Sequence, residues 1–379
     1  MRRDFCFVSL VPLAILFFFP AAGAAESATA TGISRDFNPA ISVNALLLYT
    51  SGLNEATEQE HGEEEHEHAR GPAGDGFLVQ ETELQLTSII DPYAKANLVF
   101  AMHGTDGFEL EEGFAQTLFL PTGLGLRAGK FFFEFGKHNA YHTHQYPFVE
   151  RPYAWDALLG AHGLNGAALE ASWLTPLPVY TEILATAFPL TETVYGDHEV
   201  PANTWGRAFR LRNFFETSDQ TTVDFGVSYA GGDAVNEGEN HFLGVDLAFK
   251  WIGTGANPRK LEIQGEWLYP FDEESLSDAA GAYLHALARV TRRWHVGARW
   301  DGYFQSDEHE LIDDADKNLH DEHGEDHDIH TLTASLAFVP SEFQAIRVDV
   351  LHRDFDEETE QGVRVQYNMT IGSHPAHRY

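Results

Sequence analysis

Between residues 41 and 371 the chain alternates apolar and polar residues over stretches of about ten positions, each closed by turn residues. The final stretch is the clearest: Val363, Val365, Tyr367, Met369 and Ile371 share one parity, and Arg364, Gln366, Asn368 and Thr370 the other. Because a strand sends successive side chains to opposite sides, each stretch predicts a strand with one apolar and one polar face. Comparable stretches occupy 41–49, 82–90, 94–102, 167–173, 223–229, 243–251, 261–269, 282–290, 294–304, 331–339 and 345–355. The whole chain gives about sixteen strands, an all-β protein.

One long apolar run exists, and it is N-terminal. Arg2 and Arg3 precede apolar residues 5–19, which run into the small residues 20–25. This pattern predicts a secretory signal peptide at 1–24, cut after Ala24, and a short N-terminal segment at 25–38. The sole cysteine, Cys6, falls in the removed part, so the mature chain is expected to have no disulfide and no thiol chemistry. Later residues contain no apolar run of the ~18 needed for a transmembrane helix, so any membrane span must be made of strands. With 24 basic and 58 acidic residues the formal charge is −34, which argues against nucleic acid as a partner and attracts cations.

A soluble β-sandwich also alternates, with its apolar face inward. Three features favour a membrane barrel instead. Sixteen strands exceed one ordinary sandwich. Aromatic residues gather near strand ends, at Tyr49, Phe77, Trp173, Trp205, Trp251, Tyr269 and Trp294. Tight turns at 91–92, 120–123, 175–178, 218–220 and 340–342 alternate with long polar connections. The expectation is a transmembrane antiparallel up-and-down β-barrel over 39–379, with short periplasmic turns and long extracellular loops. Its surroundings would be outer-membrane lipid and lipopolysaccharide.

The segment LRAGKFFFEFG at 126–136, followed by a long connection up to His162, resembles the Gram-negative outer-membrane porins of the sixteen-strand type, the phosphate-selective group being the nearest comparison. That resemblance implies a water-filled channel for passive diffusion of small hydrophilic solutes, with a third loop (137–162) folded into the barrel as its constriction. The sequence leaves open whether three copies form a homotrimer.

Histidine is the unusual residue, 20 in all. Loop 1 (50–76) holds His61, His66 and His68 among glutamates. Loop 7 (305–328) holds His309, His320, His323 and His327 among acids, and loop 3 holds His138, His142 and His144. Neutral imidazole binds borderline divalent ions such as zinc, and neighbouring carboxylates concentrate any cation. Without cysteine or rigid spacing the outer loops predict loose binding of zinc or another divalent cation, or simply a solvated charged rim; no cofactor is required. In loop 3, His142 and His144 share a side if the chain is extended, and His138 joins His142 if it is helical.

With the apolar parity facing lipid, Lys95, Arg210, Arg212, Arg289, Arg299, Arg347, Arg353 and Arg364 are predicted to line the lumen. So are Glu83, Glu170, Glu182, Asp224, Asp246, Glu262, Glu266 and Asp301. On the lipid face an Arg or Lys would cost about 2–4 kcal/mol at the midplane, so their shared phase implies a wet interior. Both phases are apolar through 124–135, which leaves Arg127 and Lys130 unassigned. No catalytic motif is present, and no enzyme is expected. The function expected is a cation-preferring channel that assists uptake of zinc or other divalent metal. A general or anion-selective porin, or a barrel that merely displays metal-binding or adhesive loops, remain as alternatives.

Overall fold

The computed structural model describes residues 39–52, 75–104, 107–190, 205–232, 241–271, 279–305, 328–355 and 358–372. The predicted outer-loop ligands His61, His66, His68, His309, His320, His323 and His327, the predicted signal peptide and the last seven residues lie outside them. The strands are β1 (Ala40–Ser51), β2 (Gly76–Asp91), β3 (Ala94–His103), β4 (Glu109–Thr117), β5 (Leu124–Phe132), β6 (Asn165–Leu174), β7 (Tyr180–Pro189) and β8 (Trp205–Ser218). They continue as β9 (Thr221–Gly232), β10 (His241–Ile252), β11 (Lys260–Phe271), β12 (Ala279–Arg289), β13 (Trp294–Gln305), β14 (Ile329–Ser341), β15 (Gln344–Phe355) and β16 (Glu358–Gly372). Each pairs antiparallel with its sequence neighbours, and β1 pairs with β16 from Ser42↔Gly372 to Ser51↔Val363, closing the barrel. Closure satisfies the backbone groups that an open edge would expose to lipid.

Strand parity sorts the two faces. On β1, Ser42, Asn44 and Thr50 are buried, whereas Ile41 and Tyr49 are exposed. Around the outside, Leu169, Leu247, Leu284, Leu332, Val350 and Ile371 are all more than half exposed. An apolar exterior of this extent does not suit water and does suit hydrocarbon. Tyr49, Phe77, Trp173, Trp205 and Trp294 are exposed near strand ends, where indole and phenol rings bridge apolar and polar layers.

Five strand pairs shift register among the described residues, and two of these shifts bear on the interior. Register between β1 and β2 skips Gln80, and register between β3 and β4 skips Glu111. A bulge lets two consecutive residues oppose one partner and re-aims a side chain. Glu111 thereby reaches the inner side beside Glu112, and Gln80, beside the inward Glu81, accepts a hydrogen bond from the Gln366 amide at 2.7 Å.

The barrel interior holds its own apolar core, supplied mainly by the long connection between β5 and β6. Phe133, Phe135, Trp155, Leu159 and Leu164 from this segment pack with Phe131, Phe188, Phe242, Leu268 and Tyr283 of the wall. Two 3-10 turns, His138–Ala140 and Thr143–Gln145, precede a short α-helix, α1 (Tyr153–Leu159), which lies against β12 and β13. It approaches so closely that a Cβ on Gly281 would stand 2.6 Å from the Ala154 Cβ, so the wall must present glycine there.

Candidate functional site

The connection from 133 to 164 is fixed to the wall by named hydrogen bonds. At its root, Asn139 donates from Nδ2 to the carbonyls of Phe133 (2.9 Å) and Leu164 (3.0 Å), while its Oδ1 accepts the Leu164 N–H at 2.8 Å. Gly136 donates its N–H to Ser228 Oγ on β9, and the next two N–H groups, of Lys137 and His138, go to the two oxygens of Glu266 on β11 at 3.0 and 2.8 Å. Gly136 has φ +59°, and a Cβ there would lie 2.2 Å from Glu266 Oε2, so this bend against the carboxylate needs glycine. The Lys137 ammonium meets Asp224 at 2.7 Å and Asp246 at 3.8 Å.

From β11 the segment crosses to the other side of the ring. His142, four residues after His138, reaches carboxylates on β2 and β4, which lie seven strands from β11 in a ring of sixteen. Four extended residues span at most ~14 Å, so the segment bridges nearly opposite walls and narrows the lumen. It then follows the wall back, with the His144 carbonyl accepting from Asn368 on β16 and the Val149 N–H donating to Asp349 on β15 at 2.7 Å. Glu150 pairs with Arg353 and Arg364, and the Tyr153 N–H donates to Asp301 on β13 at 3.0 Å.

Where the segment meets β2 and β4, two imidazoles face four glutamates. His142 Nδ1 lies 2.9 Å from Glu111 and 3.2 Å from Glu83, and its Nε2 lies 3.4 Å from Glu112; His144 Nδ1 lies 3.3 Å from Glu83. His142 (φ −75°, ψ 156°) caps a single 3-10 turn, Thr143–Gln145, and the His142 and His144 rings stack with centroids 5.8 Å apart. Two sets of possible ligand atoms result, Glu81 with Glu83 and His144, and Glu83 with Glu111 and His142, each within 4.8 Å of one another. Burial alone would pull the His142 pKa down, but Glu111 and Glu83 outweigh it and hold the ring well above its ordinary 6.5.

His138 does not join this pair. Its ring is buried among Tyr146, Tyr141, Tyr283 and Trp155, with centroids 4.9 to 6.4 Å away. Burial, and then the charges of Arg151 and Arg299, push its pKa well below 6.5. This histidine packs the segment against β12.

The charged residues expected to line the lumen occupy the inner wall mainly as pairs. Arg210 binds Asp246 through both oxygens (3.1 and 3.0 Å), Arg212 meets Asp224 at 2.8 Å and Arg299 meets Asp301 at 2.9 Å. Glu170 is bound by Arg127 at 2.8 Å, which resolves the ambiguous phase of β5: the Arg127 guanidinium is internal and stands 4.0 Å over the Phe131 ring. Glu262 faces Lys250 at 3.2 Å, Arg353 meets Glu360, and Arg347 donates to Gln366. Glu182 accepts from Tyr180, and Arg289 donates to the Pro258 carbonyl. Lys95 lies on β3 opposite Gln116 and Ile89.

Sequence reading missed Glu81, Glu111 and Glu112 as partners of the loop histidines. Strict alternation places neighbouring residues on opposite faces, so it cannot put Glu111 and Glu112 on one face; only the bulge does. A run of two glutamates within a short polar strand was the available signal.

No family model matches the sequence. It is similar, at 27% identity over 369 residues, to an uncharacterized protein of Aquifex aeolicus (strain VF5), covering 84% of this chain and 73% of that protein. Among solved structures, Pseudomonas putida OprB aligns with a TM-score of 0.62 at 8% identity, covering 89% of this chain and 95% of that one. An anion-selective porin from Comamonas acidovorans gives 0.56 at 12% identity (87% and 98% covered). The trimer form of the Vibrio cholerae outer-membrane protein OmpT gives 0.54 at 7% (87% and 98%). At these identities the likeness is one of fold. Together with the closed sixteen-strand ring and its apolar exterior, it gives the chain a porin-like β-barrel fold.

Proposed function

We propose that the protein is an outer-membrane channel for small hydrophilic solutes that prefers cations, divalent metal ions such as zinc among them. The observation that carries this is an imbalance on the inner wall. Arg127, Arg210, Arg212, Arg299, Arg353 and Arg364 each meet a carboxylate, so their charge is answered locally. Glu81, Glu83, Glu111 and Glu112, where the loop bridges the lumen, have ion pairs only with imidazoles among the described residues. A narrow site with excess negative charge in a low-dielectric wall attracts cations and repels anions.

Inner arginines would favour the anion-selective alternative, and the Comamonas acidovorans porin of similar fold is anion-selective. The carboxylate partners of Arg127, Arg210, Arg212, Arg299, Arg353 and Arg364 argue against it. For assembly we take a homotrimer, supported by the likeness to the OmpT trimer form. Single-channel recording tests the channel itself: the folded protein is expected to insert into a planar bilayer in discrete current steps. Absence of steps from folded, heat-modifiable protein would instead support a barrel that only displays its loops.

A further inference from the structure

We infer that the cluster between the bridging segment and β2/β4 is a carboxylate-bridged site for two divalent transition-metal ions. Glu81 and His144 would serve one ion, Glu111 and His142 the other, and Glu83 both. The inference deepens the cation-channel reading, on which its place in the pore rests, but it concerns bound rather than passing metal.

The ligand sets are the first support. Each contains one imidazole and two carboxylates, their ligand atoms lie within 4.8 Å of one another, and the sets share Glu83. A shared carboxylate with one private imidazole and one private carboxylate per side is a donor set for two adjacent ions. Nitrogen and oxygen donors without sulfur suit zinc, manganese or iron(II), and not copper(I).

Burial is the second. Glu81 is 1% exposed and neither of its oxygens has a hydrogen-bond partner of good geometry; the His103 Nδ1 lies 3.5 Å from Oε2. Glu83 is 2% exposed, and its Oε2 faces both loop imidazoles without accepting a good hydrogen bond from either. Buried carboxylates are normally paired or bound to metal, since an unanswered charge in such a place is strongly unfavourable.

Charge decides between one ion and two. The four glutamates have no Lys or Arg ion pair among the described residues, whereas carboxylates elsewhere on the inner wall do. With His142 and His144 bound to metal as neutral imidazoles, one divalent ion would leave half of the glutamates' formal charge unbalanced and two would cancel it.

The test uses the full mature barrel, folded in detergent, stripped with chelator, reloaded with zinc and passed through a desalting column. The difference in retained zinc between parent and variant isolates this site from loop histidines elsewhere. E83Q is expected to retain two fewer ions per chain than the parent, and H142A and H144A one fewer each. In crystals of the zinc-loaded parent, anomalous scattering should show two peaks about 3.5–4 Å apart beside Glu83. That measurement needs no variant to fold. A single peak, or a loss of one ion or none in E83Q, would overturn the two-ion site. Bilayer selectivity is read separately: cation preference without retained zinc removes the site and keeps the channel reading, and retained zinc in an anion-preferring pore does the reverse.

Discussion

Glu266 on β11 holds the backbone of His138, accepting its N–H at 2.8 Å on one oxygen while the other takes the N–H of Lys137 at 3.0 Å. One carboxylate thus fixes the start of the segment that bridges the lumen. The Tyr283 hydroxyl donates to the same Oε1 at 2.5 Å, and Gln264 donates to that hydroxyl at 2.6 Å. Glutamine at 266 would keep one acceptor and turn an NH₂ donor toward the other N–H. E266Q is expected to destabilise the fold by about 1–3 kcal/mol, read as a lower urea midpoint, and to make the open-channel current noisier.

Asn139 ties the two ends of the segment together by three hydrogen bonds to Phe133 and Leu164, in a place where it is 3% exposed. Alanine would leave two buried carbonyls and one N–H without these partners. N139A should cost about 2–4 kcal/mol, more than an ordinary surface substitution. Aspartate, which keeps the acceptor but not the donor, should rescue only part of it.

His138 gives the fold a pH dependence of definite sign. Its pKa in the folded protein is pushed well below the ordinary 6.5, by burial first and by Arg151 and Arg299 next. The unfolded chain therefore binds the proton more readily, so the contribution of the neutral ring is present above about pH 6.5 and is lost as pH falls below it. His138 should pull the urea midpoint of the parent down between pH 7 and pH 5, against His142, whose raised pKa acts in the opposite direction. H138F, which keeps an aromatic ring among Tyr146, Tyr283 and Trp155, should flatten that drop; an unchanged slope would assign it elsewhere.

Arg210 and Asp246 show what the inner pairs do for stability. Arg210 is 3% exposed and binds both Asp246 oxygens, and Lys137 stands 3.8 Å from the same carboxylate. D246N would strand a buried guanidinium and is expected to cost about 3–5 kcal/mol, whereas D219N, in the exposed turn between β8 and β9, should cost little. Denaturant midpoints of the two variants measure the contrast.

Much of the barrel is legible in the sequence because a membrane barrel imposes one rule along every strand, as β16 shows with Val363 to Ile371 on one parity and Arg364 to Thr370 on the other. The rule fails where the backbone departs from a pleat. Arg127 could not be placed because β5 is apolar in both phases, and its contact with Glu170 comes from a strand pairing that the sequence does not print. Glu111 escaped for a related reason, since bulges leave no simple residue signature when the extra residue is not glycine. For loop 3, the residues offered His142 with His144 if extended or His138 with His142 if helical; 3-10 turns at His138–Ala140 and Thr143–Gln145 replace both regular forms, His142 stacks on His144, and His138 packs among aromatic rings instead.

Excess negative charge where the bridging segment meets β2 and β4 should set the ion selectivity of the pore, which the reversal potential across a planar bilayer reads. Under a tenfold gradient of KCl at low ionic strength the parent should show a potential of the sign for cation preference, shrinking as salt rises and the Debye length falls toward ~3 Å at 1 M. Joint replacement of Glu81, Glu83, Glu111 and Glu112 by glutamine should reduce that preference while current steps persist. Anion preference in the parent at low salt, or a potential untouched by the fourfold replacement, would contradict the account.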